Sequence, residues 1–146
     1  MAQRRIVPTD SEDRTIVTRE AQTAVAEGAV LEYHTDTLKV EELTTTSNLS
    51  VACGVALEAG AAGDQVKMVT RGVVNTLLDG TTDIAIGDSL QTEGTNAGVL
   101  KQIVPTITTV TTLRDTLELT GPQVIPLAAQ TANVATGTLT ACKVNF

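Results

Sequence analysis

The residues of this chain that could do chemistry are few and widely spaced. One histidine, His34, stands beside Tyr33 with Glu32 and Asp36 close by, and two cysteines, Cys53 and Cys142, lie far apart. Nucleophilic catalysis needs a base within reach of a Ser or Cys, and a single histidine in a charged segment fits a hydrogen-bonded or interface role better. No histidine pair or Cys-x-x-Cys spacing offers a transition metal its ligands. The two thiols read most simply as buried and free, with a disulfide or a shared metal as the other reading.

Carboxylates offer more. Glu41 with Glu42, Asp79 with Asp83, and Asp88 with Glu93 could act as acid–base pairs or as oxygen ligands for calcium. None falls in the twelve-residue loop that makes a calcium site specific, so solvated turn acids are the simpler reading. The stretch VACGVALEAGAAGDQVKMVTRGVV, residues 51–74, poses a sharper question, since its glycines invite a phosphate-loop reading. A phosphate loop needs G-x-x-x-x-G-K-[ST], where backbone donors cradle phosphate and the lysine neutralises it. Gly54 and Gly60 have the wrong spacing, no lysine–hydroxyl pair follows, and Asp64 would repel the phosphates. No catalytic residue, metal or cofactor is therefore expected, and the chain does not read as an enzyme.

The elements that carry these residues lean towards β-structure. The 146 residues include one Phe, one Tyr and no Trp, but 26 threonines. β-Branched side chains are stiff at χ1 and suit a pleated surface. A core of Val, Leu, Ile and Ala buries less area per residue than one with aromatics, at about 25 cal/mol per Å². Burial between subunits would add to it, so an oligomer is expected. A net charge of −7 spread along the chain repels DNA, and no stacking platforms exist for single strands. No window approaches the run of about 18 apolar residues that a membrane helix needs. Neither nucleic acid nor membrane is an expected partner, and synthesis in the cytoplasm is expected.

Residues 1–20 carry Arg4, Arg5, Arg14 and Arg19 among four acids, with Ile6, Val7, Ile16 and Val17 as their apolar pairs. That is too little apolar surface for an independent fold, so the segment reads as an arm, with reach on the order of 65 Å if fully extended. These eight residues are the candidate contacts to a neighbouring molecule. Residues 21–146 are expected to form one domain. TREAQTAVAEG, residues 18–28, allows either a short helix capped by Thr18 and stopped by Gly28 or a strand running on through the next segment, where Val30, Glu32, His34 and Asp36 would share a face. Further on, NLSVACGVALE reads as a strand, AGAAGD as a turn, and QVKMVTRGVV as a second strand with Val66, Met68, Gly72 and Val74 facing one way. Gly60 and Gly63 serve that turn, Asp79-Gly80 and Gly87-Asp88 mark two more breaks, and Gly72 and Gly87 suit a bulge or bend. Thr95 to Gly98 reads as a loop, and Pro105 interrupts a Thr-Ile-Val alternation. The threonine runs, including residues 106–112, fit a strand packed on one face better than an ice-like or glycan-binding array. From Pro122 to Cys142 the chain has no charge, which points to burial.

In this order, Gly54 to Ala59, Gly60 to Asp64, Gln65 to Val74 and Gly87 to Leu90, followed by GTNAGVL, resemble the decoration or cement proteins of tailed-bacteriophage capsids. The resemblance spans roughly residues 48 to 104. It implies a mainly β, single-domain barrel or sandwich-like (β-tulip-like) module, often a homotrimer. Such a module sits on the outer surface of the virion head and cross-links major capsid protein subunits to stabilise the expanded shell. A receptor- or glycan-binding module of a phage fibre or spike is the alternative, though sugar sites usually want exposed aromatics.

Overall fold

A computed structural model describes residues 14–35, 37–44, 49–79, 83–102, 124–127 and 138–146. The expectations for Arg4, Arg5, Ile6, Val7, Gly80, Pro105 and residues 106–112 lie outside these. The described residues are mainly β. Nine strands, β1 (Thr15–Glu20), β2 (Val30–Tyr33), β3 (Val40–Glu42), β4 (Ala52–Ala56), β5 (Gln65–Leu78), β6 (Leu90–Thr92), β7 (Leu100–Gln102), β8 (Val124–Pro126) and β9 (Thr138–Asn145), form one sheet. Its main path runs β3-β2-β4-β5-β7-β6, with β1 and β9 also on β5 and β8 on β9. All pairings are antiparallel except the contact of β5 with β7 at Leu78↔Leu100. The sheet is not closed into a barrel, so of the two expected architectures the sandwich-like one applies.

Three central strands form a wall between two aliphatic cores. Val30, Val55 and Val69 are register neighbours on one face, and Leu31, Ala56 and Met68 lie on the other. The first core adds Leu43, Leu49, Val74, Leu78, Ile84, Leu90, Leu100, Val124, Cys142 and Val144, and the second adds Ala21, Val25, Ala29, Val40 and Val66. A strand buried on both faces loses the apolar–polar alternation that a half-exposed strand shows. This is why β2 carries two adjacent buried aliphatics, followed by Glu32, whose Oε1 accepts the Thr44 N–H at 3.0 Å. Gly54 in the wall leaves room for Met68, whose Sδ would lie 2.9 Å from a Cβ there.

Strand β5 joins the two cores, and here the expected facing needs correction. Val66 and Met68 line the second core whereas Val74 and Leu78 line the first, although all four are even-numbered. Against β1 the register jumps from Ile16↔Val69 to Thr15↔Arg71, leaving Thr70 as the extra residue of a bulge. Gly72 follows at φ +120°, a conformation L side chains rarely adopt. The bulge inverts the side-chain parity, and the strand changes partner there: β1 lies along Gln65–Arg71 and β9 along Arg71–Leu78. Gly72 therefore sits inside a strand, at its turning point.

Residues 18–28 form neither the helix nor the continuous strand. β1 ends at Glu20, and three apolar residues of the segment that follows, Ala21, Val25 and Ala29, face the second core. Their backbone groups bond outward instead of to each other: Ala21 N–H to Asp64 O (2.8 Å), Gln22 N–H to Val40 O (2.7 Å) and Val25 reciprocally with Gly60 (2.9 and 3.0 Å). Neighbouring loops supply the partners that a helix would have found locally. NLSVACGVALE is likewise shorter as a strand than expected, because Leu49–Val51 form a 3-10 turn before β4.

Replacing Gly72 with Ala should cost on the order of 1–3 kcal/mol, the usual penalty for holding a side chain in such a conformation. Urea unfolding should show it as a lower midpoint at unchanged slope. A midpoint equal to that of the parent would mean that β5 can turn without the glycine.

Candidate functional site

Hydrogen bonding accounts for much of the acid in this chain. Four turns place glycine at the third position with positive φ: Ala26-Glu27-Gly28-Ala29 (78°), Ala61-Ala62-Gly63-Asp64 (89°), Ala85-Ile86-Gly87-Asp88 (84°) and Asn96-Ala97-Gly98-Val99 (71°). That is the position of a type II turn where a side chain would clash. In each, a carboxylate accepts the N–H of the first residue: Glu42 Oε1 from Ala26 (2.8 Å), Asp64 Oδ2 from Ala61 (2.8 Å), Asp88 Oδ2 from Ala85 (2.7 Å) and Glu93 Oε2 from Asn96 (2.6 Å). The repeated Ala-x-Gly-Asp was the sequence signal for two of them.

Two of these turns meet, and the other two are fastened to neighbouring segments. Gly98 O accepts the Val30 N–H, and a Cβ on Gly98 would lie 2.8 Å from that of Ala29 in the first turn. Gly63 N–H bonds Ala21 O, and Gly87 N–H bonds Pro126 O. Asp88 also accepts Gln102 Nε2 at 2.8 Å. Asp88 and Glu93, weighed above as a pair, instead clamp two separate turns, in keeping with the reading of them as turn acids. Glu42 clamps a third turn, and Asp79 is buried at the end of β5. His34 belongs to the β2–β3 connection, where its N–H donates to Lys39 O at 3.0 Å.

The thiols are both free and cannot meet. Cys53 packs against the second core, 4.0 Å from Met68 Sδ, and Cys142 is buried in the first, across the wall. Burial pushes each thiol up to about 11. Among the described residues no group of three or more His, Cys, Asp and Glu side chains is placed to hold a metal ion.

Apolar side chains stand exposed at connections. Leu38, in the β2–β3 connection, is 86% exposed and Ile86, in the second position of its turn, 67%. Of the expected contact residues, Ile16 and Arg19 are exposed on β1, Val17 packs against the second core, and Arg14 lines a cavity at the turning point of β5. The last six residues of the expected arm thus lie in the sheet, held by β5 and by an ion pair from Glu20 to Lys39 at 2.6 Å. β8 and the first part of β9, from the chargeless stretch, add Val124 and Cys142 to the first core, and Leu127 and Leu139 remain part-exposed.

Glu93 gives the clamps a measurable signature. Desolvation pushes its carboxyl up, but the hydrogen bonds from Asn96 and Thr95 together outweigh this and hold it below the ordinary glutamate range. A carboxyl lowered in the folded state contributes stability that is full above its unfolded pKa and lost as pH falls through the folded value. Between pH 5 and pH 3 the parent should therefore lose more stability than Glu93→Ala does in matched thermal melts. Parallel acid profiles would contradict the clamp.

Comparison with known proteins adds a likeness of fold. No family model matches the chain, and no curated protein does. Among solved structures, the N base of the head fiber protein gp8.5 of bacteriophage phi29 is similar, with a TM-score of 0.54 and 15% identity over 90% of this chain and 93% of that one.

Proposed function

We propose that this chain is a structural protein of a bacteriophage virion, carried on the outer surface of the head, where it binds major capsid protein subunits and cross-links them in the expanded shell. The observation that carries this reading is the likeness to a head-fiber base, which extends over nearly the whole of both chains. The resemblance of residues 48 to 104 to capsid decoration proteins points the same way, and it comes from local sequence rather than from overall shape.

The chemistry of the described surface fits such a role. Leu38 and Ile86 are apolar anchors at connections, and the Asp88 carboxylate clamps the turn that carries Ile86. Acting as an oligomer, expected to be a homotrimer, the module would bind through several modest contacts on one rigid body. Avidity then exceeds one contact's affinity by roughly two to four decades without a strong individual site. Residues 1–14 extend the reach of each copy to a neighbour or to the shell. No enzymatic step is part of this reading.

A second reading rests on the same likeness: the module is itself a receptor- or glycan-binding part of a phage fibre or spike. The readings differ in what the chain itself recognises.

Co-sedimentation with expanded empty heads of the encoding phage should show saturable binding. Deleting residues 1–13 should weaken that binding at least tenfold while leaving the sheet folded. The chain should give no hits on a glycan array. Glycan binding without head binding would favour the alternative module, and no effect of the deletion would remove the arm from the contact.

A further inference from the structure

Beyond the bulge the sheet has one buried and one outward face. From Arg71 onward β5 pairs with β9, and β9 with β8, and Val74, Leu78, Val124, Cys142 and Val144 enter the first core from alternate positions. The positions between them look out, and carry Arg71 and Lys143 among Val73, Ile125, Leu139 and Ala141. The three strand segments, RGVVNTLL, VIP and TLTACKVN, contain no acid at all in a chain of net charge −7. Arg71 lies opposite Asn145 and so diagonal to Lys143, which sets the two cations about 7–8 Å apart across the strands. Both are exposed, and neither has a carboxylate partner among the described residues. A cavity of about 310 Å³ opens beside Val73, Asn75 and Ala141, with Glu27 in its lining at the border of the face, and Arg14 in the same lining is already engaged.

Two cations at that spacing can hold a carboxylate between them, and the aliphatics around them can cover the apolar side chains that flank it. We propose that this face is the surface that meets the shell. It takes a segment of a major capsid subunit in which Asp or Glu stands among aliphatic residues, with a carboxylate seated between Arg71 and Lys143 and apolar side chains over Val73, Ile125, Leu139 and Ala141. The inference rests on the reading of the chain as a head-bound protein, and names the chemistry of the partner at that contact. Charge decides the class of occupant. Affinity for nucleic acid grows with the number of phosphates neutralised, and two cations in an acidic chain neutralise too few. Among proteins, a second copy is the poorer source of carboxylate, because most of the described acids are engaged within the chain. Glu42, Asp64, Asp88 and Glu93 clamp turns, Glu20 pairs with Lys39, and Glu32 accepts the Thr44 N–H.

The test uses the full chain with expanded empty heads. Arg71→Glu and Lys143→Glu, both at exposed positions, should each weaken co-sedimentation at least tenfold. Lys67 shares its face of β5 with Val69, on the opposite side of the sheet from this one, so Lys67→Glu makes the same change of charge away from the contact and should bind within about twofold of the parent. On heads carrying the parent chain, a carbodiimide, which joins amines to carboxylates in contact, should link Lys143 to an Asp or Glu of the major capsid protein, as read by mass spectrometry. A parent chain that does not sediment with heads would overturn the head-bound reading and this proposal with it. Parent binding that the two reversals leave unchanged, an equal loss in Lys67→Glu, a Lys143 that stays unlinked, or one linked only to acids of another copy would overturn this proposal alone.

Discussion

Strand β5 must line the second core with Val66 and Met68 and the first with Val74 and Leu78, and a regular strand cannot do so from positions of the same parity. The bulge at Thr70 and the positive φ of Gly72 resolve the conflict. Everything else in the sheet follows from where that change falls. β4 and β1 pair before it, β9 pairs after it, and the cavity lies where the two halves meet. With Phe146 packed at the margin of the first core as its one aromatic, the wall of β2, β4 and β5 brings aliphatics into contact on both faces and so makes small residues sufficient.

A chain built this way has little apolar surface left to hold its connections, and hydrogen bonds do that work. The segment from Ala21 to Ala29 has no repetitive structure and is fixed by backbone bonds to Val40, Ala56, Gly60 and Asp64. The four clamped turns repeat one device, an ionised carboxylate on a backbone N–H, which forms a stronger bond than a neutral acceptor would. The acidity that argued against nucleic acid is, in Glu42, Asp64, Asp88 and Glu93, also a means of fixing loop geometry.

Local signals in the sequence were legible. Gly63 and Gly87 marked turns because only glycine takes positive φ freely there, and the strand starting at Gln65 followed from its alternation. What depended on distant partners was not legible. Ala21, Val25 and Ala29 recur every four residues as in a helix, yet form none, because Gly60 and Asp64 arrive from elsewhere in the chain to take their backbone bonds. The alternation across QVKMVTRGVV carried no mark of a change of face beyond Gly72 itself, since a bulge shows only against a partner strand. Of the candidate contacts, Ile16, Val17 and Arg19 proved to lie on a strand, because the β-branched pair finds its partners in β5, some fifty positions away. The cavity was invisible in sequence, as its walls come from five separate segments.

The reading proposed above stands on the likeness of fold to a head-fiber base, with the clamped turn that presents Ile86 as a candidate contact. The most direct test is electron cryomicroscopy of expanded empty heads from the encoding phage, incubated with the purified chain. Ordered density for the nine-stranded sheet, outside the shell and bridging major capsid subunits, is the predicted result. Heads that remain bare at saturating protein would contradict it.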